Sequence, residues 1–392
     1  MYDIIVVGAR CAGSPTAMLL ARKGYRVLLV DKATFPSNTM STHYIWQPGV
    51  ACLKRWGLLE RLARSNLPPA PRLRFDIGDF AFSGSPPPAD GVTEAYRPRR
   101  TVLDKILVDG AVESGAELRE RFSVNEILSE GGSIEGVRGR TISGSTVTET
   151  GRIVIGADGM HSLVARTIRS GTYNEKPPLT CWYYSYWSGV DVEGVEAYPR
   201  DGRWIVAAPT NDALTMIIVA WTNKEFDQFR ADIEGNFLQT LHRFAPDLAD
   251  RVQNGRREER FVGTADLPNF FRKPYGLGWA LVGDAGYHKD PVTAQGITDA
   301  FQHAELLAEA IDAGLSGRQP LQEALADYER RRNEDVIQRY ELTCNLATLA
   351  PLSAEMRSLF ETLRDNPAAA DRFFGTLAGT VSILHFLRPK EH

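Results

Sequence analysis

Three aspartates, each just past a short apolar run, are the residues of this chain whose type and spacing point to chemistry. Asp31 follows Val27–Val30, Asp158 follows Ile153–Ile155 and a Gly-Ala pair, and Asp284 follows Trp279–Val282 and Gly283. A carboxylate at the carboxyl end of a buried parallel strand lies where such sheets bind ligands. There it accepts hydrogen bonds from ribose or polyol hydroxyls. The loop Gly8-Ala9-Arg10-Cys11-Ala12-Gly13 precedes the first of them. Dinucleotide loops use one glycine for the tight turn and another for close helix–strand packing, and Gly8 and Gly13 answer both needs. The middle glycine, which lets backbone approach the pyrophosphate, is Arg10 here, a departure that sets a cation beside a phosphate. Asp31 comes 18 residues after Gly13, placed for the hydroxyls of an adenosine ribose.

The elements that must hold these groups are legible. Residues 3–7 form a strand apolar on both faces, residues 14–23 a helix closed by Gly24, and residues 27–30 a second strand, together one βαβ unit of about 30 residues. Helices are predicted over 49–63, 101–113, 226–244 and about 294–313, and throughout the chain after Leu321. The stretch 66–98, rich in proline and glycine, leaves the first unit. Residues 121–155 read as a β-meander. Strands are predicted over 181–190, 204–209 and 214–221, with turns at Asp201-Gly202 and Asn211-Asp212. In the aromatic strand, Trp182, Tyr184 and Tyr186 share one face, while Cys181, Tyr183, Ser185 and Trp187 share the other. One face packs on its own domain and the other is free to roof a ligand. Trp204 and Trp221 are aromatic candidates of the same kind.

The chain has 392 residues, 43% hydrophobic and 24% charged, with a net charge of −4. This is a globular balance for two or three domains, and it carries no electrostatic footprint for nucleic acid or an anionic membrane. The four cysteines form no CxxC pair, so neither zinc nor a disulfide framework is expected. No apolar run reaches the roughly 18 residues of a membrane span, and the N-terminal apolar run is too short for a signal peptide. Cytoplasmic residence is the expectation, without stable membrane association.

The order and spacing of the three motifs resemble the glutathione-reductase-type FAD fold. More closely they resemble the p-hydroxybenzoate-hydroxylase-like superfamily of class A flavoprotein monooxygenases, geranylgeranyl reductases and flavin-dependent halogenases. The resemblance implies an α/β fold: a Rossmann-type FAD-binding domain with an inserted mixed β-sheet substrate domain and a helical C-terminus. Residues 1–70, 98–172 and 272–392 are expected to form the first, and residues 71–97 and 173–271 the second. FAD is expected on Gly8, Ala12, Gly13, Asp31, Lys32, Arg100, Val124, Asp158, Gly159, Gly283, Asp284, Gly296 and Ile297. Arg100 matches the family's FAD-contacting arginine, with Arg99 the alternative, and Val124 falls near adenine. The segment Pro291–Gly296 leads into a helix whose first amides and positive dipole end would face the flavin pyrimidine ring and stabilise negative charge on reduced flavin.

For the reaction, the resemblance implies a monooxygenase. NAD(P)H, a transient visitor, reduces FAD, and molecular oxygen is trapped as a flavin C4a-hydroperoxide in a site shielded from water. An aromatic or polyketide-like apolar molecule is then hydroxylated or epoxidised. His43, within Met40-Ser41-Thr42-His43, and Pro291 are expected near the ring. His43 reads equally as a proton donor, a substrate contact or a buried structural residue, and His288 and Asp290 are further candidates. A geranylgeranyl-reductase-like alkene reductase is the alternative, and a flavin-bearing binding protein stays open. Halogenation is disfavoured, because Trp204–Pro209 lacks the Trp-x-Trp-x-Ile-Pro pattern.

Overall fold

The computed structural model describes residues 1–387. Its central feature is a parallel sheet assembled from distant segments. Strand Tyr2–Val7 pairs in parallel with Val27–Val30 on one side and with Thr146–Gly156 on the other. Trp279–Leu281 adds in parallel beyond Thr146–Gly156, and Glu117–Arg119 beyond Val27–Val30. Val7 and Leu281 both register with Gly156. The strands that precede Gly8, Ala157-Asp158 and Gly283-Asp284 therefore end level, and their turns leave the same sheet edge. Val, Ile and Leu fill these strands because both faces are covered, one by helices and the other by the predicted meander with Phe122, Ile127, Ile134 and Val137. Helix Gly13–Arg22 packs between helices Arg100–Glu113 and Gly296–Leu315. The first half of Thr146–Gly156 belongs to the predicted meander, pairing antiparallel with Ser133–Arg140, which pairs in turn with Ser123–Glu130.

A second sheet runs in the order Arg256–Arg257, Thr180–Ser188, Thr215–Thr222, Arg203–Pro209, Val195–Arg200, Leu73–Asp76, Ala81–Gly84. Leu73–Asp76 joins it parallel to Val195–Arg200, so the early excursion completes a sheet formed mostly from later residues. Asp201-Gly202 makes the expected two-residue hairpin, with Arg200 opposite Arg203. The two faces separate as the period-two pattern requires. Trp182, Tyr184 and Tyr186 enter one core with Phe75, Trp204 and Ile218, while Cys181, Tyr183 and Trp187 enter another with Phe229, Phe237 and Leu241.

Several helices differ from expectation. The segment predicted as one helix over 49–63 is two, Gln47–Trp56 and Leu59–Ala63, because Gly57 adopts the left-handed conformation (φ 77°) and ends the first. The segment predicted over 226–244 breaks at Asp232, whose side chain instead caps Ile233–Phe244 by accepting from Gly235 N. Beyond Leu321 the chain is helical in pieces: Leu321–Leu346, Ala354–Arg364, Pro367–Ala378 and Ile383–Leu387. The pieces after residue 353 were expected beside the FAD-binding unit, yet they pack on the second sheet. Phe374 lies 5.1 Å from Phe75, and Phe360 5.1 Å from Phe82, between ring centroids. Phenylalanines on those helices find their apolar partners there and not on the parallel sheet. Among the described residues no helix is long and apolar enough to cross a membrane, and no cluster of His, Cys, Asp and Glu could hold a metal ion.

Candidate functional site

The three level strand ends open into one cavity of about 820 Å³, toward the upper end of the roughly 300–1,000 Å³ usual for ligand sites. Its lining includes Gly8, Ala12, Asp31, Lys32, Arg100, Val124, Asp158, Gly159, Gly283, Asp284, Pro291, Gly296 and Ile297. Every cofactor-site residue expected from the sequence is thus at one surface except Gly13. Gly13 sits directly behind it, buried at the start of its helix, where an added Cβ would lie 1.7 Å from the Gly8 carbonyl oxygen. No side chain fits that approach. Gly8 itself takes φ 104°, which only glycine adopts without strain.

The polar groups around the cavity are built for a ligand with hydroxyls and phosphates. Asp31 Oδ2 accepts from Ala9 N (2.7 Å) and Oδ1 from Ala33 N (2.8 Å), which fixes its carboxylate at the loop. Asp158 Oδ2 accepts from Leu163 N at 2.7 Å, but its Oδ1 is buried without a partner. Burial pushes the Asp158 carboxyl above its ordinary range, a cost that a donor on Oδ1 would offset. Asp284 stands in the turn Gly283–Ala285 with its carboxylate exposed. The helix Gly296–Leu315 has no side-chain cap, so its first amides are available, and a Cβ on Gly296 would meet nothing within 4 Å.

Arg10 and Arg100 are organised by a residue the sequence reading did not single out. Arg10 forms an ion pair with Asp104, and Arg100 reaches the same carboxylate at 2.9 Å. Asp104 is fully buried. Two guanidiniums sharing one carboxylate leave one net positive charge at the cavity wall, the sign a pyrophosphate needs. The signal was available: Asp104 lies four residues after Arg100 on a predicted helix, a spacing that pairs side chains. Arg99, the alternative to Arg100, turns away to pair with Glu259 and to lie 4.6 Å from the Tyr186 ring centre. This donor set, with its open helix start and orphaned Asp158 oxygen, fits FAD.

Near the far end of the cavity the residues divide. Trp182, Tyr184 and Ile218 bring an apolar wall from the second sheet, joined by Leu267 from the connection before Asn269–Arg272, and Pro291, Ala294 and His288 line the same space. His288 Nδ1 lies 2.5 Å from the Pro268 carbonyl oxygen. His43, expected near the ring, lines neither this cavity nor the smaller one beside it. It is fully buried in the left-handed region (φ 64°), with Nε2 2.5 Å from the Tyr186 hydroxyl. Burial first, then Arg100, Arg97 and Arg99, hold its pKa well below the usual histidine value. It is therefore neutral near pH 7 and sits behind the wall that Tyr184 presents. Trp221 also faces away, packed 3.6 Å from the Phe229 ring centre, whereas Trp204 lines the smaller cavity.

Beneath Pro291 two buried acids have opposite fates. Asp290 accepts from Thr180 Oγ1 (2.5 Å) and Val292 N (3.0 Å), and burial raises its pKa to about 7. Trp182 Nε1 donates to the same Thr180 hydroxyl at 2.6 Å, which ties the aromatic strand to the Pro291 turn. Asp299 meets Lys289 Nζ at 2.8 Å and Arg339 at 3.5 Å. Burial opposes its charge, but the two cations outweigh burial and hold Asp299 below its usual range.

The second cavity adjoins the first. It is narrow, about 60 Å³, and is lined by Tyr44, Trp46, Phe75, Arg97, Trp182, Trp204, Val206 and other apolar side chains. Pro291, Ala294, Trp182, Ile218 and Thr42 line both spaces.

Comparison with known proteins agrees with this construction. Residues 1–341 match the family model described as FAD binding domain. The chain is similar to a digeranylgeranylglycerophospholipid reductase from Methanothrix thermoacetophila, 26% identical over 354 residues, or 85% of this chain and 83% of that protein. In fold it is similar to the flavin-dependent brominase Bmp2, with a TM-score of 0.84 at 19% identity over 96% of this chain and 93% of that one. It is also similar to PqsL of Pseudomonas aeruginosa in complex with 2-aminobenzoylacetate, with a TM-score of 0.77 at 21% identity over 93% of this chain and 100% of that one. The chain belongs to the FAD binding domain family and is an FAD-dependent oxidoreductase.

Proposed function

We propose that this chain is an NAD(P)H-driven monooxygenase that hydroxylates or epoxidises a compact aromatic or polyketide-like apolar molecule. The observation that carries this reading is the narrow aromatic annex beside the large cavity, walled by Tyr44, Trp46, Phe75, Trp182 and Trp204. Bound FAD supplies the redox chemistry, accepting a hydride from NAD(P)H and activating molecular oxygen. In this reading Gly8, Ala12 and Gly13 shape the loop for the pyrophosphate, and Arg10 and Arg100 balance its charge. Asp31 and Lys32 hold the adenosine ribose, Val124 borders adenine, and Asp158, Gly159, Gly283 and Asp284 receive the ribityl chain. The amides of Gly296 and Ile297 face the ring system. Trp182, Tyr184, Ile218 and Leu267 keep bulk water from the reacting end. Pro291 and Ala294 mark the junction where substrate and ring meet.

We also read two working units, a parallel FAD-binding sheet and a mixed substrate sheet, with the helices after residue 353 packed on the latter. The four cysteines are buried and unpaired, which supports a reducing, cytoplasmic setting.

A second reading, reduction of an alkene, draws support from the 26% identity to the archaeal reductase. The annex is walled largely by aromatic rings, which favours a flat compact body over a long isoprenoid chain. Stopped-flow reduction by NADH and NADPH, then oxygen uptake measured against product with a panel of aromatic compounds, tests the proposal. One oxygen consumed per oxygenated product supports it. Saturation of an alkene without oxygen supports the second reading in its place.

A further inference from the structure

Three arginines cluster at the start of the helix Arg100–Glu113, and two of them have carboxylate partners. Arg99 pairs with Glu259 and Arg100 with Asp104. Arg97 is different. It is 2% exposed, and its Nη2 makes long contacts to the Thr42 carbonyl oxygen (3.3 Å) and the Met216 sulfur (3.5 Å). Its Nε and Nη1 have no hydrogen-bond partner among the described residues. Among the described residues no carboxylate pairs with it, and the groups that favour its charge are the hydroxyls of Tyr44 and Tyr186. Burial pushes its pKa down to about 10, which leaves it charged at neutral pH. The hydroxyl of Tyr44 is likewise buried without a partner, and the Arg97 guanidinium lies 5.9 Å from the centre of the Tyr44 ring. Both residues line the annex.

An uncompensated buried charge is costly, and a charge retained in that state is matched when its counter-ion arrives. The unsatisfied groups can all donate: guanidinium N–H groups and a phenol. They suit an oxyanion. Apart from Thr42 and Thr293 the rest of the annex is apolar, with Trp46, Phe75, Trp182, Trp204 and Val206 among its walls, which suits a hydrocarbon or aromatic body better than a bare inorganic ion. We propose that the substrate is an organic acid whose carboxylate is received by Arg97 and Tyr44, with its apolar body extending past Trp182 toward Pro291. This rests on the annex being the substrate site. It adds the charge of the substrate and its direction: the acid end lies in the annex and the reacting end in the large cavity.

The test uses the flavin-loaded protein and measures binding, not turnover. Probes are 1-naphthoate, 1-naphthamide, decanoate and sodium chloride, followed by flavin difference spectra and titration calorimetry. At least one carboxylate should bind, and 1-naphthoate should bind on the order of 30-fold tighter than its amide, as expected for a charge-assisted pair in a buried site. Arg97→Met should bring acid and amide within about threefold of each other, and Tyr44→Phe should weaken the acid by roughly three- to tenfold. Without ligand, Arg97→Met should melt at the same or a higher temperature than the parent, because an unpaired buried charge is gone. The proposal is overturned by equal binding of acid and amide, by undiminished acid binding in Arg97→Met, by failure of both carboxylates to bind at millimolar concentration, or by chloride alone reproducing the spectral change. Acid binding at Arg97 without any oxygen uptake would overturn the monooxygenase reading and leave the acid site standing. Oxygenation of neutral aromatics by the parent protein, with no preference for the matching acids, would do the reverse.

Discussion

At the scale of single residues, the site is defined by polar atoms that the folded chain leaves incomplete. The Asp284 carboxylate is exposed to the cavity, so its removal leaves little behind in the fold itself. Asp284→Ala should therefore keep its melting temperature in FAD-free protein yet bind FAD about 10- to 100-fold more weakly, the loss of one or two hydrogen bonds to a carboxylate. The flavin-to-protein absorbance ratio after dialysis checks this, and full yellow occupancy would count against the site. Gly13 makes the opposite prediction. With a Cβ placed 1.7 Å from the Gly8 oxygen, Gly13→Ala must shift the loop. It should lower stability by about 1–3 kcal/mol as well as FAD retention, measured by denaturant unfolding.

At the scale of elements, the strand Thr180–Ser188 presents two different faces to two different tasks. Trp187 packs 5.7 Å from Phe237 in the far core, whereas Trp182 lines both cavities. Trp187→Ala should cost about 3–5 kcal/mol of stability while the affinity of the remaining folded protein for FAD stays the same. Trp182→Leu should cost less, since volume is better kept, and should change ligand affinity and the flavin spectrum. Equal effects of the two on flavin binding would refute the assignment of faces. Period-two alternation predicted this split correctly. Periodicity did not predict the break at Gly57 or at Asp232, because an apolar stripe continues across a short kink. What ends each helix is a local backbone preference, left-handed glycine in one case and a side-chain cap in the other.

Across the whole molecule, the Pro291 turn, the aromatic strand and the FAD cavity are tied through Asp290. Its folded pKa, raised by burial to about 7, exceeds the unfolded value near 3.9. Its protonated form is thus the one the fold favours. The associated stability is fully present below about pH 4 and declines by up to about 1.4 kcal/mol per pH unit as pH rises through 7. Asp290→Asn should flatten that part of the stability curve, measured as melting temperature against pH at saturating FAD. A parent protein whose Asp290→Asn variant shows the same slope would remove Asp290 as its source.

By itself the sequence determined the kind of machine. Apolar runs ending in glycine and aspartate specify parallel strands with ligand-binding ends, because only buried strands are apolar on both faces and only glycine allows the tight turns. Those features pointed to Gly8, Asp31, Asp158 and Asp284 as neighbours before any distance was known, and the four line one cavity. Tertiary structure decided which neighbours complete each charge. Arg97, Arg99 and Arg100 lie within four positions of one another, yet Glu259 pairs with one, Asp104 with another and no carboxylate among the described residues with the third. His43 likewise could have faced the ring or the core, and the strand carrying Tyr186 turned it inward. Long-range pairing of side chains depends on where distant elements cross, which no local spacing encodes.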